Sequence, residues 1–318
     1  MTTSTGKETV QHEIGEDGVL AIQFASGSIA VTATDGPRAI VRELDGQDLE
    51  ARFHIERTDG RLGLRAREQL LGAVLGRRSI RLSVEFPAGA ELTVDTASAD
   101  IRVTGARGPQ RYRTVSGALT NLEASGSIGF EVASGEVDIS AIGSLVLDGR
   151  SVSGDLAVRG GSLERLDLQT TSGDALIDSP LAGSGPFSMQ TVSGDARIVA
   201  PRGVRVQSTT VSGRVDSHQP GATESGGGRH AVVVGDGKAS MRFRSISGDL
   251  VVVAAPGEPA AEPDADTQEA RPAPTSSVAE EQPDAHGGER LAILRDLEDG
   301  RIDVDEATSR LAALDEGA

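Results

Sequence analysis

The chain has 318 residues, including 40 glycines, a single tyrosine, and neither cysteine nor tryptophan, so its core has to be assembled from Val, Leu, Ile and Ala. Zero cysteines exclude disulfides, thiolate metal sites and cysteine nucleophiles together. The net charge of −17, of which −12 falls from Glu258 onward (17 acidic and 5 basic residues), opposes binding to a phosphate backbone, and the shortage of aromatics leaves little for base stacking.

In chain order, Met1 to Gln11 is polar and holds no apolar signal region, and no window approaches 18 consecutive apolar residues; both point to a soluble, cytoplasmic protein. Gly18 to Phe24 reads as a first strand, and Ser79 to Phe86 and Glu91 to Val94 as later ones, joined by a turn at Pro87-Ala-Gly-Ala90. Between them, Arg65 to Arg78 is both apolar and basic. Its candidate membrane contacts are Arg65, Arg67, Leu70, Leu71, Arg77 and Arg78; a loop or helix that covers the first coil is the simpler account and the favoured one.

A serine recurs at 26, 98, 116, 134, 153, 172, 193, 212 and 247. Glycine follows it everywhere except at Ala99, and an acidic residue usually comes next. From 98 the intervals are 18, 18, 19, 19, 21, 19 and 35, the length of one coil of a β-solenoid, with an insertion in the last. Three residues after each serine stand Ile29, Ile101, Leu119, Val137, Leu156, Ala175, Ala196, Val215 and Leu250, and the position two further on is mostly aliphatic, with Asn121 and Ser217 as exceptions. This is the period of two of a strand buried on one face. Counted back across the bend with the same period, Val115, Val152, Val192, Val211 and Ile246 are expected inside. One coil buries too little to offset its own ordering entropy, so stacking is obligatory and both ends of the stack need caps.

His218 to His230 reads as a flexible loop, and Gly235-Asp-Gly-Lys238 as the turn of a hairpin between Ala231–Val234 and Ser240–Phe243. Residues 255–288, rich in Pro, Ala, Asp and Glu, read as a disordered acidic linker. The last thirty residues turn helical. Leu291, Leu294 and Leu297 share one side of a first helix closed by Gly300, and Asp303 with Glu306 forms a capping box for a second helix that carries Val304, Leu311 and Leu314. Two helices this short need a docking surface, so these six residues are the candidate interaction residues.

The chain is therefore expected to be all-β: a single-chain β-solenoid of 18–21-residue coils (96–254), capped by irregular strands and hairpins (1–95) and followed by the linker (255–288) and a small α-helical hairpin (289–318). The run Val84-Glu-Phe-Pro-Ala-Gly-Ala-Glu-Leu-Thr-Val-Asp-Thr-Ala-Ser-Ala-Asp-Ile-Arg-Val103, with the Thr-Val-Ser-Gly and Ser-Gly-Asp units after it, resembles the bacterial candidate-adhesin β-strand-repeat family, a domain of unknown function, over roughly residues 10 to 254. Ile293 to Ala307 is similar to the short helical hairpin often found beside that domain and thought to mediate association. The resemblance implies a β-solenoid and, in some members, a link to envelope stress; it brings no catalytic residues.

The column two residues after the serines, Asp100, Glu136, Asp155, Asp174, Asp195 and Asp249, is the chemically richest feature. Stacked carboxylates can ligate calcium; the favoured reading is solvated turn residues, whose mutual repulsion in water is only about 0.9 kcal/mol at about 4.8 Å. The five histidines, His12, His54, His218, His230 and His286, fall at no metal-ligand spacing. Coils this short leave little length for the loops that wall a catalytic cleft. The reading is a non-catalytic scaffold or interaction protein without cofactor or metal, which recruits a protein partner or a second copy through its C-terminal hairpin; the alternative is an adhesin-like or envelope-stress binding module at a membrane surface.

Overall fold

The computed structural model describes residues 7–253 apart from 68–78, 184, 201–202, 218–221, 227–228 and 236. The C-terminal hairpin residues, the acidic linker, and Leu70, Leu71, Arg77 and Arg78 lie outside the described residues.

In chain order the strands are β1 (Thr9–Glu13), β2 (Val19–Thr34) and β3 (Arg38–Glu43), then a helical turn α1 (Leu49–Arg52), β4 (Phe53–Thr58), β5 (Arg61–Ala66), β6 (Ile80–Pro87) and β7 (Glu91–Thr104). The regular repeats follow as β8 (Gln110–Ser116), β9 (Leu119–Ser134), β10 (Val137–Ser153), β11 (Leu156–Ser172), β12 (Ala175–Asp178), β13 (Phe187–Ser193) and β14 (Ala196–Val199). Last come β15 (Gly203–Thr210), β16 (Val215–Ser217), β17 (Ala222–Gly226), β18 (Arg229–Gly235), β19 (Ser240–Ser247) and β20 (Leu250–Val253).

These strands stack in parallel with the serines in register: Ser26 on Ser98, Ser98 on Ser116, Ser116 on Ser134, and so on through Ser153, Ser172 and Ser193 to Ser247. The fold is the expected all-β solenoid. Each rung is an arm leading into a Ser-Gly corner and an arm leading out, and one continuous apolar cluster runs inside the stack from Val10 to Val252.

The corner geometry explains the repeat. Every corner glycine but Gly213 lies at left-handed φ, +122° at Gly154 for example, and a Cβ there would sit 2.2 Å from the carbonyl oxygen of Gly135 on the rung below. Only glycine permits that approach. The acidic residue after it extends the ladder round the bend: Asp155 Oδ1 accepts the Asp174 N–H, Asp174 the Asp195 N–H, and Asp195 the Asp249 N–H, at 2.8 to 2.9 Å.

Two expectations are corrected here. Val115 and Val152 are 61% and 56% exposed and Val192 and Val211 are half-buried; of that set only Ile246 is inside. The inward place belongs to the residue before it, Thr114, Ser151, Thr191, Thr210 and Ser245, all buried. The left-handed glycine consumes one residue, so the alternation shifts by one across the corner. Second, β18 and β19 do not pair with each other. They flank β15, β18 antiparallel on one side and β19 parallel on the other, while the stretch read as a loop contributes β17, which forms an antiparallel pair with β18.

Both ends are closed by rungs stacked out of chain order. At one end β5 and β6 pair in parallel with the two arms of β2, which itself pairs with β7. Beyond them β4 runs antiparallel to β5, β3 to β6, and β1 to β3. A buried ion pair, Arg52 Nη1 to Glu43 Oε1 at 2.8 Å, fastens α1 to this cap, and Glu43 Oε2 accepts the N–H groups of Asp45 and Gln47. Arg81 donates to Asp45 at the surface, and that hydrogen bond holds the Asp45 carboxyl below its usual range. At the other end the last rung in sequence, β19 with β20, is inserted between β13 with β14 and β15 with β16.

Candidate ligand-binding face

The arms leading into the corners form a parallel sheet whose inward residues build the core and whose outward residues form rows along the stack. One outward row runs Thr93, Arg111, Gly129, Asp148, Asp167 and Ser188, matched in register from β7 to β13. Its neighbour includes Arg113, Glu131 and Arg150. Around Gly129, which has no side chain to fill the row, the surface sinks into a depression of about 470 Å³.

Glu91, Arg111, Glu131, Asp148, Arg150 and Arg165 rim this depression. Arg113 Nε contacts Glu131 Oε2 at 3.2 Å, so that carboxylate is already matched. Arg111, Arg150 and Arg165 are exposed, and their guanidinium groups form no ion pair or hydrogen bond with any described residue. Beneath the floor lies a buried polar cluster. Tyr112 donates to Gln110 Oε1 at 2.8 Å, Asn121 Nδ2 donates to the same oxygen at 2.6 Å, and Gln110 Nε2 reaches the backbone carbonyls of Ala106, Gly108 and Ser125. Asn121, one of the two exceptions in the aliphatic column, is there as Gln110's partner. Burial pushes the Tyr112 phenol well above its ordinary range.

The sites expected from sequence fall elsewhere. Arg65 lies exposed on β5 beside a smaller hollow of about 230 Å³ that it shares with Gln23, Asp95 and Thr96. Arg67 is turned away from it, its Nη2 donating to the Glu50 carbonyl at 3.0 Å. Leu291, Leu294, Leu297, Val304, Leu311 and Leu314 lie outside the described residues. The acidic column is brought together, but as a structural ladder: Asp100, Asp155, Asp174, Asp195 and Asp249 each spend one carboxylate oxygen on a backbone N–H of the next rung. Sequence reasoning missed the depression, because its residues come from β7 to β11 and share no motif. Its one signal is a glycine inside an otherwise well-formed strand, away from any corner.

Fold and surface together define a capped parallel β-solenoid with a polar outer face. The chain belongs to the Toastrack DUF4097 family, whose family model matches residues 22–253. No curated protein matches the chain. Similar solved structures include a candidate cell-adhesion protein from Clostridium sporogenes, 9% identical over 78% of this chain and 99% of that one, with a TM-score of 0.26. A candidate adhesin from Bacteroides fragilis is 10% identical over 77% and 95%, with a TM-score of 0.33. A candidate lipid-binding protein from Parabacteroides distasonis is 12% identical over 78% and 96%, with a TM-score of 0.23.

Proposed function

We propose that this protein is a non-catalytic binding scaffold, in which the solenoid displays rigid outer faces and residues 289–318 recruit a protein partner or a second copy. The observation that carries the reading is the closure of the stack. Inward side chains are committed to the core, corner carboxylates to the ladder, and both ends to out-of-order rungs. What the solenoid has left to offer another molecule is its outward rows. The segment is assigned to recruitment because the two short helices expected from its sequence carry too few leucines to persist alone.

Light scattering on the full chain and on a chain lacking residues 289–318 tests the second half. The solution mass should fall to that of one chain on deletion. If it does not, self-association through residues 289–318 is ruled out, and affinity capture with the same two proteins decides the recruitment reading: identical captured sets remove it as well.

A further inference from the structure

Gly129 is not a glycine for the sake of the fold. Its backbone φ lies outside the left-handed range that favours glycine, and a Cβ built there would find its nearest neighbours, the carbonyl oxygens of Gln110 and Asp148, at 3.8 and 3.9 Å, ordinary contact distances. Gly149, on the next strand, differs: it faces inward, and its Cβ would collide with the Phe130 ring at 2.2 Å. A glycine inside a strand weakens it by about 0.5–1 kcal/mol and commonly marks a place where another molecule comes close to the backbone.

Three guanidiniums without a carboxylate partner among the described residues, Arg111, Arg150 and Arg165, stand round that bare floor, interleaved with Glu91 and Asp148. Unpaired arginines favour carboxylate or phosphate groups, which they bind bidentately. A dense polyanion would meet repulsion from the acidic residues in the same rim. A ligand whose anionic groups alternate with hydroxyls satisfies both, its charges on the arginines and its hydroxyls donating to Glu91 and Asp148. The depression crosses the strands β7 to β11, roughly 19 Å at the usual strand spacing, enough for about three sugar units. The rings beneath it, Tyr112 and Phe130, are buried, so recognition rests on charge and hydrogen bonds.

We infer that the depression centred on Gly129 binds an acidic oligosaccharide, a short uronate chain laid along the solenoid axis with its carboxylates on Arg111, Arg150 and Arg165. The inference gives a ligand class to one face of the proposed scaffold, and its test reads a different quantity from the hairpin deletion, so either can fail alone.

Isothermal titration of the full chain with trigalacturonate is the measurement, with maltotriose and inorganic phosphate as comparison probes. Trigalacturonate should bind, and more tightly than either comparison. Gly129→Val, which fills the floor, and Arg150→Gln should each weaken it by about tenfold or more, with the melting temperature of Gly129→Val equal to or above that of the native chain. No binding, equal binding of maltotriose or phosphate, or unchanged affinity in a folded Gly129→Val or Arg150→Gln would each overturn the assignment. Should Gly129→Val fail to fold, Arg150→Gln decides alone.

Discussion

Two glycines one rung apart carry opposite meanings. At Gly154 the backbone is left-handed and the carbonyl of Gly135 occupies the place of a side chain, so Gly154→Ala should cost about 3 kcal/mol or more in denaturant unfolding. At Gly129 neither constraint holds, and Gly129→Ala should be neutral or stabilising by about 0.5–1 kcal/mol. Equal effects at the two positions would show that the corner geometry is not what selects glycine. Tyr112 offers a second test at this scale. Its phenol is held neutral by burial, its folded pKa lying above the ordinary 10.0. Below pH 10 both states are protonated and the full stability is present. Above it the unfolded chain releases the proton while the folded one keeps it, so stability falls, by up to about 1.4 kcal/mol per pH unit. The chain has one tyrosine, no cysteine and only two lysines, Lys7 and Lys238, so little else titrates there. Tyr112→Phe should flatten the decline between pH 10 and 11, at a cost near pH 7 of about 1–2 kcal/mol for the lost hydrogen bond to Gln110. A decline as steep in the variant would assign the effect to another group.

A rung is held from both sides. The residue after the corner acid donates its N–H to the carbonyl of the next rung, as Leu156 does to Asp174, while Asp174 sends its own N–H back to Asp155 Oδ1. Removing an interior rung therefore breaks two ladders. The final rung in sequence, β19 with β20, is such an interior rung, because β15 and β16 lie beyond it. Deletion of residues 240–253 should expose amides far outside the deletion, at 203–217, which lose the partners on which they stack; hydrogen exchange followed by mass spectrometry reads this directly. Native-like protection of 203–217 in the deleted chain would mean that β15 and β16 can dock on β13 and β14 unaided, and that the inserted rung is dispensable.

Across the molecule, interleaving solves the problem every solenoid faces, a last rung with an unpaired edge. Each end is finished by antiparallel strands, β4 and β3 at one and β18 and β17 at the other. A stack grown only in chain order would leave parallel arms open at both ends. Among the described residues no helix is long and apolar enough to cross a membrane.

From the amino-acid sequence alone the solenoid, its coil length and its inward aliphatic columns were legible, because a rung repeats one local rule: a glycine that only a corner needs, then aliphatics at a period of two. What the sequence could not show is anything that depends on which rung lies against which. The order of stacking at the ends and the depression at Gly129 arise between segments 18 or more residues apart, and the inward place of Thr114 and Ser151 rather than Val115 and Val152 follows from a corner φ that the residue pattern does not display. Local pattern sets the shape of a rung. Only the closure of hydrogen-bonded ladders in space decides its neighbours, and with them which side chains meet on the outer face.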